Sequence, residues 1–269
     1  KQISNTALEI KRSKDFSNRI ELGDSNDDEI HKMASTFNEM LDTVEEVFIH
    51  EKQFSSDVSH ELRTPITVIL AQSDYALQYS DTLEETKESL EVINRHAKRM
   101  TNLINQIMEL SKLERQKEIE KERINFSNII LQLLEDYKPL LENSNIELIT
   151  NIEKDLRIYG NKLMIERLFV NLFTNAMKFT KTTIKVSLNR INKEIILQIK
   201  DDGVGIAKGE QKYIWDRFFQ INNSRNKDKN RGSGLGLSMV NKIAQFHSAT
   251  IEVESEIGKG ACFIVRFPI

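Results

Sequence analysis

Residues 54–65 read Phe54-Ser55-Ser56-Asp57-Val58-Ser59-His60-Glu61-Leu62-Arg63-Thr64-Pro65. Wound as a helix, the segment sorts its side chains. Val58 and Leu62 stand four residues apart on one face, and His60 is rotated from Val58 by roughly 200° at about 100° per residue. The imidazole therefore points away from the apolar side. Thr64 lies one turn beyond His60 on the same face, and Glu61 is its chain neighbour. Pro65 has no N–H to offer the Glu61 carbonyl, so a bend is expected there. A lone histidine on a long helix is most often a solvated surface residue. What flanks this one decides its reading.

Upstream, apolar positions recur at Ile30, Met33, Phe37, Met40, Val44, Val47, then Glu51, Phe54 and Val58. The steps are 3 and 4 throughout, with Glu51 the one polar member. That heptad seam predicts a coiled coil, a rod of roughly 42 Å at about 1.5 Å per residue that ends beside His60. Downstream, Ile66, Ile69, Leu70, Ala76 and Leu77 lead to a polar break near Tyr79–Thr82. A second helix steps through Leu90, Ile93, Ala97, Met100, Ile104 and Ile107 and is expected to end near Glu114. A hairpin of two such helices cannot bury its face alone, so two copies pairing as a four-helix bundle, a homodimer, is the packing solution. His96 beside this seam reads as structural or solvated.

The composition fits long solvated helices: 29% charged residues, 7% aromatics and three prolines in 269 residues. A net charge of −3 gives no reason to expect nucleic-acid binding. The single cysteine, Cys262, sits in an alternating strand-like tail and reads as a small core residue. No run of eighteen apolar residues occurs, so no segment reads as a membrane span. The chain begins at Lys1 without a methionine, which suggests a piece of something longer. Residues 1–22 read as a short amphipathic helix (Ile3, Ala7, Ile10) followed by a connector, and Asp24 to Asp28 as an acidic turn before the long helix.

Beyond a charged hinge at Gln116–Arg123 the texture changes. Phe126–Leu141 and Asn161–Phe179 read as helices; Ile146–Ile152, Thr183–Asn189 and Glu194–Lys200 read as strands. Helices on one face of a mixed sheet follow. Asn171, Asn175 and Lys178 share one helical face, with Leu172, Ala176 and Phe179 on the other. Amide oxygens suit a hard cation that keeps its waters, and a lysine suits phosphate. Asp201-Asp202-Gly203-Val204-Gly205-Ile206 follows a strand directly, where a carboxylate can accept from an exocyclic amine and glycines let backbone approach a ligand. Gly232-Ser233-Gly234-Leu235-Gly236-Leu237 then enters the helix Met239–Phe246, aiming backbone N–H groups at an anion. Neither a dinucleotide βαβ unit nor a Walker lysine surrounds it. Taken singly, these motifs also fit a wetted helix face and an acidic turn.

In fixed order they resemble the N, G1 and G2 boxes of the ATP-binding fold shared by histidine kinases, gyrase-type ATPases and chaperones. Tyr213-Ile214-Trp215-Asp216-Arg217-Phe218-Phe219 resembles the kinases' F box, ahead of a basic lid, Gln220–Arg231. Ser59-His60-Glu61-Leu62-Arg63-Thr64-Pro65 resembles the phospho-acceptor box of sensor histidine kinases, and the N-terminal helix, connector and Phe37-Asn38-Glu39-Met40 resemble a HAMP linker. The resemblance implies three parts: HAMP at 1–47, dimerisation and histidine phosphotransfer at 48–117, and an α+β two-layer ATP-binding catalytic domain at 118–269. It implies the cytoplasmic portion of a bacterial membrane sensor, anchored by a transmembrane segment upstream of Lys1. It also implies autophosphorylation of His60, transfer to an aspartate of a response regulator receiver domain, and phosphatase activity.

By the same resemblance the catalytic set is His60, Glu61 and Thr64, and the cofactors are ATP and Mg²⁺. The nucleotide would meet Asn171, Asn175, Lys178, Asp201, Gly203, Gly205, Ile206, Phe219, Gly232, Gly234, Leu235, Gly236 and Leu237, with Asn175 the Mg²⁺ ligand. Arg225, Lys227, Lys229 and Arg231 of the lid remain equivalent candidates for phosphate. The chain departs from the family at Asn161, where Asp is frequent, and at His247-Ser248-Ala249-Thr250, where a glycine pair is common. A gyrase- or chaperone-like ATPase and a nucleotide-binding scaffold without kinase activity are the alternatives.

Overall fold

The computed structural model describes residues 12, 16–20, 28–115, 120–221 and 233–269. The short helix expected at Ile3, Ala7 and Ile10, most of the acidic turn, the first part of the hinge, Gly232 and the lid from 222 onward lie outside the described residues. The chain divides into two compact units, Lys1–His96 and Ala97–Ile269.

In the first unit, helix α1 (Asp28–Gln78) runs for 51 residues. It breaks at Tyr79–Thr82, and α2 (Leu83–Arg115), which runs on from the first unit into the second, begins with Glu84 and Glu85 at its positive N-terminal end. Thr82 Oγ1 accepts from the Glu85 N–H at 3.2 Å. The expected bend at Pro65 does not interrupt α1, whose helix is continuous through it. Pro65 is itself buried, and burying the ring offsets the one lost backbone bond.

The seam read from sequence stays exposed in the single chain, with Met33 and Val47 each 61% accessible. A second stripe, one residue on, is what the chain buries within itself. Ala34 and Leu41 are buried together with Ile20, and the Asn38 side chain accepts from Ile20 N at 2.9 Å and donates to Ile20 O at 3.0 Å. Arg19 pairs with Asp42 and Glu45. The outward seam and the inward stripe occupy different faces of one helix.

In the second unit, strand β1 (Glu122–Asn125) pairs antiparallel with β3 (Arg157–Gly160). Between them come α3 (Phe126–Asn143) and β2 (Glu147–Ile152), and then α4 (Lys162–Phe179), β4 (Thr183–Ile191), β5 (Glu194–Asp201), α5 (Gly236–Phe246), β6 (Thr250–Glu256) and β7 (Gly260–Pro268). The main sheet has the order β2-β4-β5-β7-β6. Only its β2–β4 pair is parallel. In register, Val186, Ile199 and Phe263 form one row and Leu188, Leu197 and Val265 the next. All six point into one core with Phe126, Leu168, Phe169, Leu172 and Phe173 from α3 and α4. Strand period 2 and helix period 3.6 thus meet on a single face.

Three strands escaped the sequence reading: β1, its partner β3, and β6. Glu122 and Arg123, taken as hinge, belong to β1, whose four residues are too few and too polar to signal a strand. The β6 sequence Thr-Ile-Glu-Val-Glu-Ser-Glu is charged at every other position because it is a sheet edge. Helix caps were local: Asn125 and Asn161 accept from Asn128 N and Met164 N, opening α3 and α4.

Candidate active site

His60 lies exposed on α1, and Thr64, one turn on, is exposed beside it. The Thr64 hydroxyl reaches the His60 carbonyl at only 3.5 Å, a weak bond that leaves it able to turn outward. Glu61, Val58 and Leu62 are half-buried. Among the described residues, no helix is long and apolar enough to cross a membrane.

In the second unit the candidate residues converge around three backbone turns. Asp201 ends β5 and is 4% accessible. Its Oδ1 accepts from Gly203 N at 2.8 Å and from Ala261 N at 3.3 Å, and no described residue donates to Oδ2. Burial raises the Asp201 pKa, against the two backbone donors that favour its charged form. The turn that follows leaves no room. A Cβ on Gly203 would stand 2.0 Å from Phe179 O, and one on Gly205, at φ +72°, 2.1 Å from Glu256 O. Ile206 N donates to Ser255 Oγ at 2.8 Å, and the Ile206 side chain packs on the core, as does Phe219.

Asp202 has a different task. It accepts from the Thr180 and Thr182 hydroxyls and from Lys181 N and Thr182 N, all within 3.0 Å. It thereby fastens the α4–β4 turn to the end of β5.

Along α4, Asn171, Asn175 and Lys178 are half-buried on one face while Leu172, Phe173 and Ala176 are buried on the other. Phe179 does not join that core: it is 40% accessible, because the helix ends there. Its carbonyl abuts Gly203 and its ring lies 4.7 Å below the Lys178 ammonium. Phe173 takes the apolar place. Burial, and secondarily the charge of Arg99, lowers the Lys178 pKa. Asn171 is tied down, with Nδ2 donating to Arg167 O at 2.9 Å. The Asn175 side chain makes no hydrogen bond among the described residues. Gly236 opens α5 where a Cβ would come 2.9 Å from Asn171 Oδ1. Leu235 is fully buried and Leu237 partly so, leaving backbone rather than side chain to face a ligand.

For a magnesium ion, the donor set fits. Described residues hold no group of three or more His, Cys, Asp or Glu able to bind a metal. An open amide oxygen at Asn175 with few protein ligands matches an ion that keeps its waters and takes the rest from phosphate.

Comparison with known families agrees in extent with these two regions. The family model of the His Kinase A (phospho-acceptor) domain matches residues 50–116. That of the histidine kinase-, DNA gyrase B- and HSP90-like ATPase matches residues 160–269. The signal transduction histidine-protein kinase ArlS of Staphylococcus aureus (strain USA300) is 33% identical over 98% of this chain and 59% of its own length. The chain belongs to the sensor histidine kinase family. It spans about six-tenths of the length of the curated relatives it matches. Among solved histidine kinases, ThkA in complex with response regulator protein TrrA shares the fold over the whole of this chain and 83% of that one (TM-score 0.70, 20% identity). Acinetobacter baumannii AdeS shares it over 78% of this chain and 97% of that one (TM-score 0.61, 21% identity).

The two places where this histidine kinase departs from its family's pattern touch each other. His247 Nε2 accepts from Asn161 N at 3.0 Å, and Nδ1 lies 2.8 Å from Ile243 O. Ser248 holds φ +55°, a left-handed backbone that explains why glycine is common there. Nothing in the sequence signalled that buried histidine. Nor did it signal Ser233, whose hydroxyl accepts from Leu235 N at 3.2 Å.

Proposed function

We propose that this chain is the kinase core of a membrane sensor, which transfers phosphate from ATP to His60 and then to an aspartate on a response regulator. One observation carries the reading. A solvent-exposed histidine in a phospho-acceptor domain shares its chain with a lobe whose buried Asp201 keeps one carboxylate oxygen for an adenine amine.

The adenine amine would donate to Asp201 Oδ2, while the backbone turns at Gly203, Gly205 and Ile206 and the Phe219 side chain enclose the base. The N–H groups of Gly234, Leu235, Gly236 and Leu237 at the start of α5 suit the phosphates, with Gly232 ahead of them and Lys178 as a further contact. Asn175, supported by Asn171, would hold Mg²⁺, which when bound neutralises charge on the triphosphate. His60 Nε2 then attacks the γ-phosphorus in line. The N–P bond forms as the bond to the β–γ bridging oxygen breaks, and ADP leaves. Glu61 takes up the Nδ1 proton and so raises the basicity of the attacking nitrogen. Transfer to the regulator's aspartate breaks the N–P bond as the aspartyl O–P bond forms, and the proton returned by Glu61 restores a neutral imidazole. Thr64, exposed on the same face, would orient water for the reverse duty of dephosphorylating the regulator.

The exposed seam from Met33 to Val47 supports pairing with a second copy as a homodimer. The HAMP-like residues 1–47 would couple this core to a transmembrane segment upstream. A receiver-domain partner is supported by ThkA, whose structure contains the response regulator TrrA.

Incubation with γ-³²P-ATP tests the reading. Acid-labile, base-stable label is expected on wild type and not on His60→Gln. A gyrase-like ATPase would release phosphate without that label, and a scaffold would bind ATP and do neither.

A further inference from the structure

Helix α2 carries a second stripe that the dimer seam does not use. Arg99, Leu103, Gln106, Leu110 and Leu113 step by 4, 3, 4 and 3 within the Ala97–Ile269 unit. Leu103 and Leu110 are buried, at 5% and 1%, and Leu113 packs against the core of the lobe. Two polar contacts flank this apolar strip. The Ser233 hydroxyl donates to Gln106 Oε1 at 2.5 Å. Arg167 pairs with Glu109 at 2.8 Å, each about one-third accessible.

Both contacts end on the nucleotide machinery. Ser233 precedes Gly234 in the glycine loop, and its oxygen accepts from Leu235 N while its proton goes to Gln106. The Leu235 N–H is one of the donors a phosphate would take. Arg167 sits one turn before Asn171, and its carbonyl holds the Asn171 amide. A loop whose N–H is engaged by a serine anchored to α2 is not the loop a phosphate group needs. The two arrangements compete for one donor.

We propose that Gln106–Ser233 and Glu109–Arg167 form a two-point fastener that ties α2 to the phosphate-binding loop and to α4, antagonistic to nucleotide phosphates. This rests on the reading of that loop as the ATP phosphate site. By linkage the antagonism is reciprocal: phosphate loosens the lobe from α2, and fastening weakens phosphate binding by the same factor. Signals that shift α2 would thereby tune ATP affinity.

Calorimetric titration of the full chain with Mg-ATP, and separately with adenosine, tests this. Gln106→Ala is expected to tighten Mg-ATP by about two- to tenfold, the range of one neutral hydrogen bond. Glu109→Gln is expected to tighten it by about twofold, as befits a pair one-third exposed to water. Adenosine affinity stays as in wild type, because the base does not touch this loop. Hydrogen exchange in wild type, which needs no variant, should quicken over residues 99–113 when Mg-ATP is added. Unchanged or weaker Mg-ATP binding by Gln106→Ala, equal tightening of adenosine, or exchange slowed by ATP overturns the fastener. A wild-type chain that binds adenosine but gains nothing from its phosphates overturns the phosphate reading of the loop, and the fastener with it.

Discussion

The Phe218 N–H donates to the Gly234 carbonyl at 3.0 Å, and both residues hold left-handed backbone, φ +60° and +72°. A Cβ on Gly234 would stand 2.6 Å from the Phe218 backbone. This pair closes the neck between the F box and the phosphate loop, and nothing larger than hydrogen fits between them. Gly234→Ala therefore combines a clash with a strained φ, a local cost of about 1–3 kcal/mol. It should weaken Mg-ATP binding about tenfold or more while the core stays folded. Gly209→Ala is the control: a Cβ there meets nothing within 4 Å, and titration should find its ATP affinity unchanged. Equal affinities for the two variants would refute the steric account.

Asp201 offers a sharper test of base recognition, since its two oxygens do different work. Oδ1 is held by Gly203 N and Ala261 N. In Asp201→Asn the amide oxygen can keep those two donors, which turns the NH₂ toward the ligand. Two donors then face each other at the adenine amine, and ATP binding should fall by about tenfold or more, about 1.4 kcal/mol or above. Thermal unfolding should move little, because the buried oxygen keeps its partners and the amide carries no charge for burial to penalise. A large drop in melting temperature with ATP affinity intact would assign Asp201 to structure instead.

How much of this was legible beforehand follows from the range of the forces involved. The spacing of Val58, His60 and Leu62 was readable because helix period is local, and the spacing of Asn171, Asn175 and Lys178 for the same reason. The strand before Asp201 was readable from alternation alone. The β1–β3 ribbon was not: Glu122–Asn125 is defined by a partner more than thirty residues away. The second stripe on α2 hid behind the first, since Leu103 and Leu110, though buried, lie off the heptad seam and only Leu113 of that stripe meets the lobe's core. Phe179 looked like core by spacing and is not, because the helix ends under it.

Asp202 is predicted to be worth stability rather than catalysis. Burial opposes its ionisation, but donors from Thr182, Thr180 and Lys181 outweigh that and hold its carboxyl well below the usual range. A depressed carboxylate stabilises the fold fully above its unfolded pKa of about 4, and that share is lost as pH falls below it. Asp202→Ala should lower unfolding free energy at neutral pH by about 1–2 kcal/mol, read by urea denaturation. It should also lose less stability than wild type on acidification below about pH 4. Parallel pH curves for the two proteins would show that the four donors contribute nothing.

His247 acts in the opposite sense on the same axis. Its Nε2 accepts from Asn161 N, so the proton sits on Nδ1 and goes to Ile243 O; the ring is neutral and fully paired. Burial lowers its pKa; the bond to Ile243 O raises it in part, and the nearby Lys121 charge lowers it further. Below the unfolded value of about 6.5, the unfolded chain takes up a proton that the folded one resists. The contribution is complete above that pH and drains away as pH drops toward the folded pKa. Protonating Nε2 also breaks the bond to Asn161, which caps α4, the helix carrying Asn171 and Asn175. Urea midpoints of wild type should fall between pH 7.5 and 5.5, and those of His247→Gln should fall less, since an amide can accept and donate at any pH in that range. ATP affinity should track the same difference. A variant that loses stability as steeply as wild type over that interval would place the acid-sensitive group elsewhere.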